Sequence, residues 1–507
     1  MLHKKSWIGY TIVGKNSGGS MTLYNLDNIA TQAMIERGFI PGFSPEIMKE
    51  ISQITLPSIP LSDSKARDMR HLKWCSIDND DSLDLDQLTF AESLGSHGFR
   101  IYVAVACVDL LVKKKDIVDD RAKNNTTSVY TPTKKFPMLP ERLSNDLTSL
   151  NPDKDRLAVI FEGHLSSDGA LQEHSIYLGY VHNYAKLAYD ATSVWLDGGT
   201  IPKPIAAVDG LAEQVILQDA IAQKLALLRH TQGALSLETI EPQTILSNGI
   251  PVDIKPMPKN RGRLLIENFM IVANMISARF ATEHSLPFIR RVVTTPKRWD
   301  KIVEIAAEHG ETLPMTPDAI ALEKFLVKQR KANPKAFPDI SLTVIKLLGR
   351  GEYRVVAPGR NVPGHFGLAV RDYSHSTAPN RRYPDLIVQR IILSVLYQTP
   401  LPYTEKELGE LAFHCTQKED DADKVERRMR KSAAALILMN DIGKEFDGII
   451  TGVGEKGTWI RLFSPPVEGK LVKGIGSVDV GDWVRVKLLH TDVLAGYIDF
   501  SFIKPLA

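Results

Sequence analysis

The sequence predicts an α+β chain of several domains, and three observations carry that expectation. Residues 1–68 show helical apolar spacing, residues 69–440 mix strand-like and helical runs, and residues 445–507 alternate in short strands punctuated by glycine. At 507 residues the chain is long enough for two to four domains with sizeable cores. Hydrophobic content of 43% and charged content of 24% are ordinary for a globular chain. A formal net charge of +2 excludes attraction of a polyanion by bulk charge. Local basic segments, Lys255…Lys259…Arg261…Arg263 and Arg427-Arg428…Arg430-Lys431, would have to supply it. The cysteines Cys75, Cys107 and Cys415 are odd in number and lack C-x-x-C spacing, which suggests neither a disulfide framework nor a zinc site. No signal peptide and no long apolar run is evident, so the expectation is a cytoplasmic protein away from membranes.

In the N-terminal unit, helical stretches near Leu26–Arg37 and Pro45–Ile54 flank the turn-rich segment Gly38–Ser44. Ile29, Ala33 and Met34 have helical spacing. A compact helix-turn-helix or winged-helix unit fits, either binding nucleic acid or capping the neighbouring domain. Pro57-Ser58-Ile59-Pro60 reads as a linker.

The central domain opens on the most informative feature of the chain. Asp78, Asp80, Asp81, Asp84 and Asp86 crowd the stretch Ile77–Gln87, just after the apolar Leu72–Cys75. Such a cluster repels itself unless a cation neutralises it. A calcium loop of the EF-hand type needs Gly at position six and Glu at position twelve, where Leu83 and Thr89 stand. Leu83 and Leu85 alternate with Asp84 and Asp86, so an extended backbone would place both carboxylates on one face. Asp78, at the end of a strand, would face them across a short loop. Hard oxygen ligands of this kind suit magnesium or manganese bridging carboxylates to phosphate. The strand-like segment Arg100–Val108 follows, and helices dominate from Leu211 onward.

A second constellation lies at Tyr373–Leu386, between the strand-like His365–Val370 and a helical run Leu386–Tyr397. Arg381 and Arg382 fall in the turn entering that helix, where free N–H groups and the dipole favour anions. Guanidinium forks there would hold a phosphate bidentately. Aspartates and arginines together supply both halves of a phosphodiester-cleaving site. In the C-terminal segment, a period of two points Ile460 and Leu462 inward and leaves Trp459, Arg461 and Phe463 on the outer face of a small barrel.

These motifs resemble the ribonuclease II family, whose catalytic RNB domain carries I-D-x(5)-D-x-D-D and T-S-P-I-R-R-Y-x-D-L-x-x-H-R signatures. Here they read Ile77-Asp78…Asp84-Leu85-Asp86-Gln87 and Thr377-Ala378-Pro379-Asn380-Arg381-Arg382-Tyr383-Pro384-Asp385-Leu386…Gln389-Arg390. Phe136–Ser144, Ala185–Asp190, Ile266–Met270 and Val425–Arg427 match in family order. Asp447–Gly452 and Val480–Val486 resemble an S-one-type OB-fold, a five-stranded β-barrel that binds RNA.

The resemblance implies processive 3′→5′ hydrolysis of single-stranded RNA to nucleoside 5′-monophosphates by a monomer that uses Mg2+, with Mn2+ as a substitute. It implies that Asp78, Asp84, Asp86 and Gln87 hold metal, and that Asp84, Asp86 and Arg381 are catalytic. Tyr130, Tyr189, Glu267, Arg382, Arg390 and Glu426 would contact RNA in the catalytic domain, and Trp459 and Arg461 in the barrel. Two positions depart from the pattern: Gln87 replaces an Asp, and Gln389 replaces a His. A neutral amide binds metal less tightly than a carboxylate, so the alternative is an RNA-binding scaffold without turnover.

Overall fold

The computed structural model describes residues 12–15, 21–55, 66–238, 241–257, 260–334, 336–360, 363–455, 457–474 and 478–506. The linker Pro57–Pro60 and Lys259 lie outside the described residues. The catalytic core is a sheet that curls back on itself. Its strands run in the order Arg67–Asp68, Leu171–Ala188, Trp74–Asp78, Gln87–Ser93, Phe99–Ala106, Asp155–Leu165, and the last also pairs antiparallel with Leu171–Ala188. Leu171–Ala188 runs parallel to Trp74–Asp78, in a register that sets Ala188 opposite Asp78. The apolar run Ile101–Ala106 is buried along its whole length, as expected of a strand covered on both faces.

The helix Arg261–Glu283 packs against this sheet and is buried over most of its length. It is also long and apolar enough to cross a membrane by composition, which corrects the expectation of no long apolar run. Its hydropathy reflects packing inside the domain, because neighbours bury nearly every side of it. Helices Trp299–Glu308, Ala319–Ala332 and Phe337–Leu348 form a satellite cluster around Trp299, Phe325 and Phe337.

The expected strand at His365–Val370 is a short helical turn, Phe366–Leu368. The segment folds back on itself, with Leu368 N–H donating to His365 Nδ1 at 3.2 Å and Ala369 in the left-handed region at φ 52°. The following helix spans Tyr383–Tyr397 and starts three residues earlier than its apolar spacing suggests. Pro384 sits in its first turn, where the missing N–H costs nothing.

The helix Glu405–Leu438, capped by a Thr404–Glu407 capping box, ties the molecule together. Its 34 residues span about 50 Å. It touches the N-terminal helix, the catalytic domain and the C-terminal barrel.

At the N-terminus a hairpin, Ile12–Lys15 with Met21–Tyr24, precedes helices Leu26–Glu36 and Pro45–Gln53. The helices match the expected positions, but they do not share a helix-turn-helix core. Ile29, Ala33 and Met34 pack into the cluster around the Glu405–Leu438 helix, whereas Ile47 and Ile51 join the main catalytic core. Helices of 11 and 9 residues bury too little apolar surface to stabilise one another alone. The segment packs against its neighbours on both sides and is pinned by Arg121 Nη2 donating to Ile40 O at 2.7 Å.

The C-terminal domain is a closed five-stranded barrel in the order Glu445–Gly454, Gly457–Leu462, Glu468–Lys473, Tyr497–Pro505, Trp483–Asp492. Ile460, Leu462, Leu471, Val484, Val486 and Phe500 are buried within its core, which agrees with the expected inward residues. Gly469 is required at its position, since a Cβ there would come within 2.6 Å of Ile498 O.

Candidate active site: an aspartate loop facing an arginine turn

Asp78 ends one strand and Gln87 begins the next, so residues 79–86 form the loop between them. The expected strand-like alternation fails here. Leu85 is buried, but Leu83 is 60% exposed. The backbone is held by partners other than a ladder. Leu85 N–H donates to Ser149 Oγ at 3.0 Å, Ser149 Oγ donates to Leu83 O at 2.9 Å, and Ala106 N–H donates to Asp86 O at 2.9 Å. These bonds aim Asp86 inward and leave Asp84 partly exposed.

The opposite wall is the turn Ala378–Arg382. The buried Asp385 shapes it, accepting from Ala378 N–H at 2.8 Å and from Arg382 Nη2 at 2.7 Å. Ser128 N–H donates to Arg381 O and Tyr383 N–H to Thr126 O, which locks the turn to the segment before Tyr130. From that platform Arg381 Nε and Asn380 N–H each donate to Asp86, both at 3.1 Å. Asp86 is 2% exposed and Arg381 42%, so the guanidinium keeps N–H groups open to solvent.

Burial pushes the Asp86 carboxyl up to about 7. The neighbouring Asp84 charge adds to the rise, and Arg381 with the Asn380 N–H opposes it. Burial also raises Asp78, again with Asp84 adding, against the hydrogen bond from Asn79 N–H and the charge of Arg381. The Asp84 charge therefore bears on both Asp78 and Asp86. Among the described residues no three His, Cys, Asp or Glu already converge as a closed metal cage. The donor chemistry nevertheless fits a hard divalent cation, because the set is all oxygen and carries more negative charge than Arg381 offsets. Gln87 is buried at the head of its strand, next to Asp86 in sequence.

Tyr130 stands over this space on the hairpin Val129–Tyr130 with Lys135–Phe136. Its N–H donates to Glu426 Oε1 at 2.9 Å and its hydroxyl to Asp84 Oδ2 at 3.4 Å. The structure thus joins Tyr130 and Glu426, almost three hundred positions apart, beside the aspartates. Tyr189 follows Ala188 directly and so lies next to Asp78; burial, then the Asp78 charge, raises its hydroxyl pKa. The Arg263 guanidinium lies 4.7 Å from the Tyr189 ring centroid. Glu267, one helical turn beyond Arg263, is exposed.

Two expected RNA contacts are corrected. Arg390 is buried, with Nε on Asp109 and Nη1 on Asp119, both at 2.8 Å, so it is a structural ion cluster and not a phosphate contact. Arg461 is buried and paired with Asp339 of the helix Phe337–Leu348, so its guanidinium is not open on the outer face. Arg382 donates Nη2 to Asp385 at 2.7 Å and keeps its Nε without a partner. Trp459 remains half-buried on the barrel.

Other contributors had no role assigned from the sequence. The Asn380 N–H acts through its backbone, which no residue type reveals. Lys135 reaches Asp81 at 3.0 Å, and Lys186 donates to Asp80 O at 2.8 Å, bracing the loop. Gln389 donates to Ala106 O at 2.8 Å and accepts from Asp109 N–H at 3.0 Å. Its amide thereby positions the strand end whose N–H holds the Asp86 carbonyl.

Comparison with known proteins agrees with this architecture. The model of the RNB domain matches residues 66–398, and that of the RNase II-type exonuclease C-terminal S1 domain matches residues 444–502. The chain belongs to the ribonuclease II family, defined by that RNB domain. It is 28% identical to Ribonuclease R 1 of Lactococcus lactis over 93% of this chain and 60% of the relative, so it spans about three-fifths of that protein's length. Among solved structures, Mycoplasma genitalium RNase R in complex with ribose methylated single-stranded RNA superposes with a TM-score of 0.86 at 22% identity, covering 95% of this chain and 80% of that one. Yeast Ssd1, described as a pseudonuclease, superposes with a TM-score of 0.69 at 17% identity over 91% of this chain and 59% of its own. The fold is therefore shared by a pseudonuclease, so activity depends on the side chains of the site and not on the fold.

Proposed function

We propose that the chain is a metal-dependent 3′→5′ exoribonuclease that hydrolyses single-stranded RNA processively to nucleoside 5′-monophosphates. The observation that carries this reading is Asp86. It is sealed from solvent, crowded by Asp84, and gripped by Arg381 and the Asn380 N–H. A merely structural carboxylate would be paired and quiet, whereas Asp86 meets the Asp84 charge beside the part-exposed Arg381 guanidinium.

Each side chain has a part in the reading. Tyr130 and Tyr189 offer ring faces to terminal bases without reading sequence. Glu426 orients Tyr130 through its N–H, and Glu267 would accept from a ribose 2′-hydroxyl, the group that separates RNA from DNA. The open N–H groups of Arg381 would meet charge developing on the scissile phosphate. Asp78, Asp84 and Asp86, with Gln87 as a neutral oxygen donor, would hold Mg2+ or Mn2+, which supplies Lewis-acid activation of water and phosphate. The three cysteines are buried and free, which suits the cytoplasmic location in the same proposal; a monomeric state belongs to it as well.

Purified chain incubated with labelled poly(A) and Mg2+ or Mn2+ tests the reading. Stepwise release of monophosphates supports it, and single-stranded RNA should be shortened in preference to a deoxy strand. Tight binding with no shortening in either metal would instead identify an RNA-binding scaffold, the outcome that Gln87 favours.

A further inference from the structure

Arg263 sits in the first turn of the helix Arg261–Glu283 and has no carboxylate partner within ion-pair distance among the described residues. Its side chain spends one hydrogen bond, from Nη2 to Asn79 Oδ1 at 2.9 Å, and its Nε is buried without a partner. The contrast with Arg261, two residues earlier, is direct. Arg261 is consumed by Asp219 at 2.6 Å and Asp197 at 3.3 Å, a purely structural arrangement. Arg263 is instead parked against the Tyr189 ring, at 4.7 Å, beside the loop that begins at Asp78. Asn79, its one partner, is neutral and follows Asp78 in the chain. The helix dipole adds positive potential at this first turn. An arginine with unspent N–H groups, beside an aromatic ring at the rim of a candidate phosphodiester site, has the chemistry of a phosphate clamp.

We infer that Arg263 grips an internucleotide phosphate neighbouring the scissile one, so that the nucleotide against Tyr189 is held by ring and guanidinium together. This rests on the proposed RNA-degrading function but assigns a positioning residue that the family signatures quoted above do not contain. Arg263 is a positioning residue, since the reacting atoms lie between Arg381 and the aspartates.

The test uses the full chain and single-stranded oligoadenylate. Binding is measured across a salt series in the presence of chelator, so that turnover plays no part. Arg263→Ala should weaken binding about tenfold and reduce the magnitude of the salt slope by about 0.7, the release expected for one lost phosphate contact on a single strand. Arg263→Lys should restore the slope. With metal added, Arg263→Ala should raise KM more than it lowers kcat, and the shortest oligonucleotide left undegraded should lengthen. An unchanged slope and end-product length in Arg263→Ala, with only the melting temperature lowered, would overturn the inference and leave Arg263 as a brace for Asn79. Failure of the wild-type chain to shorten RNA would defeat the proposed function separately, because the slope is read without turnover.

Discussion

Asp86 shows how much one side chain can depend on residues far from it in sequence. Its carbonyl is held by Ala106, its carboxylate by Asn380 and Arg381, and its charge is opposed by Asp84. Asp86→Asn keeps the shape but removes charge needed to hold a cation. Turnover should fall by about a hundredfold or more, while RNA affinity stays within about threefold. Monophosphate release beside a filter-binding titration measures both, and unchanged turnover would remove Asp86 from the mechanism. Gln87 offers the converse experiment. Gln87→Asp adds a charged oxygen donor, so the metal concentration for half-maximal activity should drop severalfold. At this scale the candidate groups were legible: the spacing of Asp78, Asp84 and Asp86 and the Arg381 turn stand in the sequence. The Asn380 N–H and the Arg263–Tyr189 contact were not, because neither is a property of residue type or local spacing.

At the scale of elements, two buried polar clusters hold the arginine turn. In the first, Arg390 links the helix Tyr383–Tyr397 to Asp109 and Asp119, and bonds Tyr403 at 2.8 Å. Arg390→Met should cost about 3–5 kcal/mol of stability, since it leaves buried carboxylates without their counter-charge. Chemical denaturation measures the loss; a change below about 1 kcal/mol would show that the cluster is solvated. In the second, His365 and His375 lie among Tyr353, Tyr373, Arg291 and Arg382. Burial, with Arg291 adding, holds His365 down at about 4; burial, with Arg382 and Arg291 adding, holds His375 well below its ordinary value. Both are therefore neutral in the fold. As pH falls below about 6.5, the unfolded chain binds protons there and the folded chain does not, so stability is lost progressively toward pH 4. Melting temperatures between pH 7 and 4 should fall less steeply in His375→Gln than in the wild type.

At the scale of the whole molecule, the helix Glu405–Leu438 and the barrel interface decide which surfaces stay free. The sequence placed Arg461 on an outer strand face, which is correct, but there the guanidinium is taken up by Asp339 of the helix Phe337–Leu348. Arg461→Ala should loosen the docking by about 1–3 kcal/mol. It should speed amide exchange in Gly457–Leu462 and Phe337–Leu348 without slowing cleavage of a short single strand. A slowed cleavage with unaltered exchange would return Arg461 to the RNA path.

Periodicity and motif spacing were enough to specify the class of fold, the barrel at the C-terminus, the helices at Leu26 and Pro45, and the residues that carry charge at the site. These are local properties, since hydrophobic alternation and turn chemistry act over a few residues. Only the tertiary structure decided that the N-terminal helices divide between two cores, that Arg390 and Arg461 are buried ion partners, and that Arg263 lies beside Tyr189 with neutral Asn79 as its hydrogen-bond partner. An arginine has the same chemistry wherever it lies in the chain. Whether it meets a carboxylate, a ring or solvent is set by segments that folding brings together, and those energies are absent from any local window of sequence.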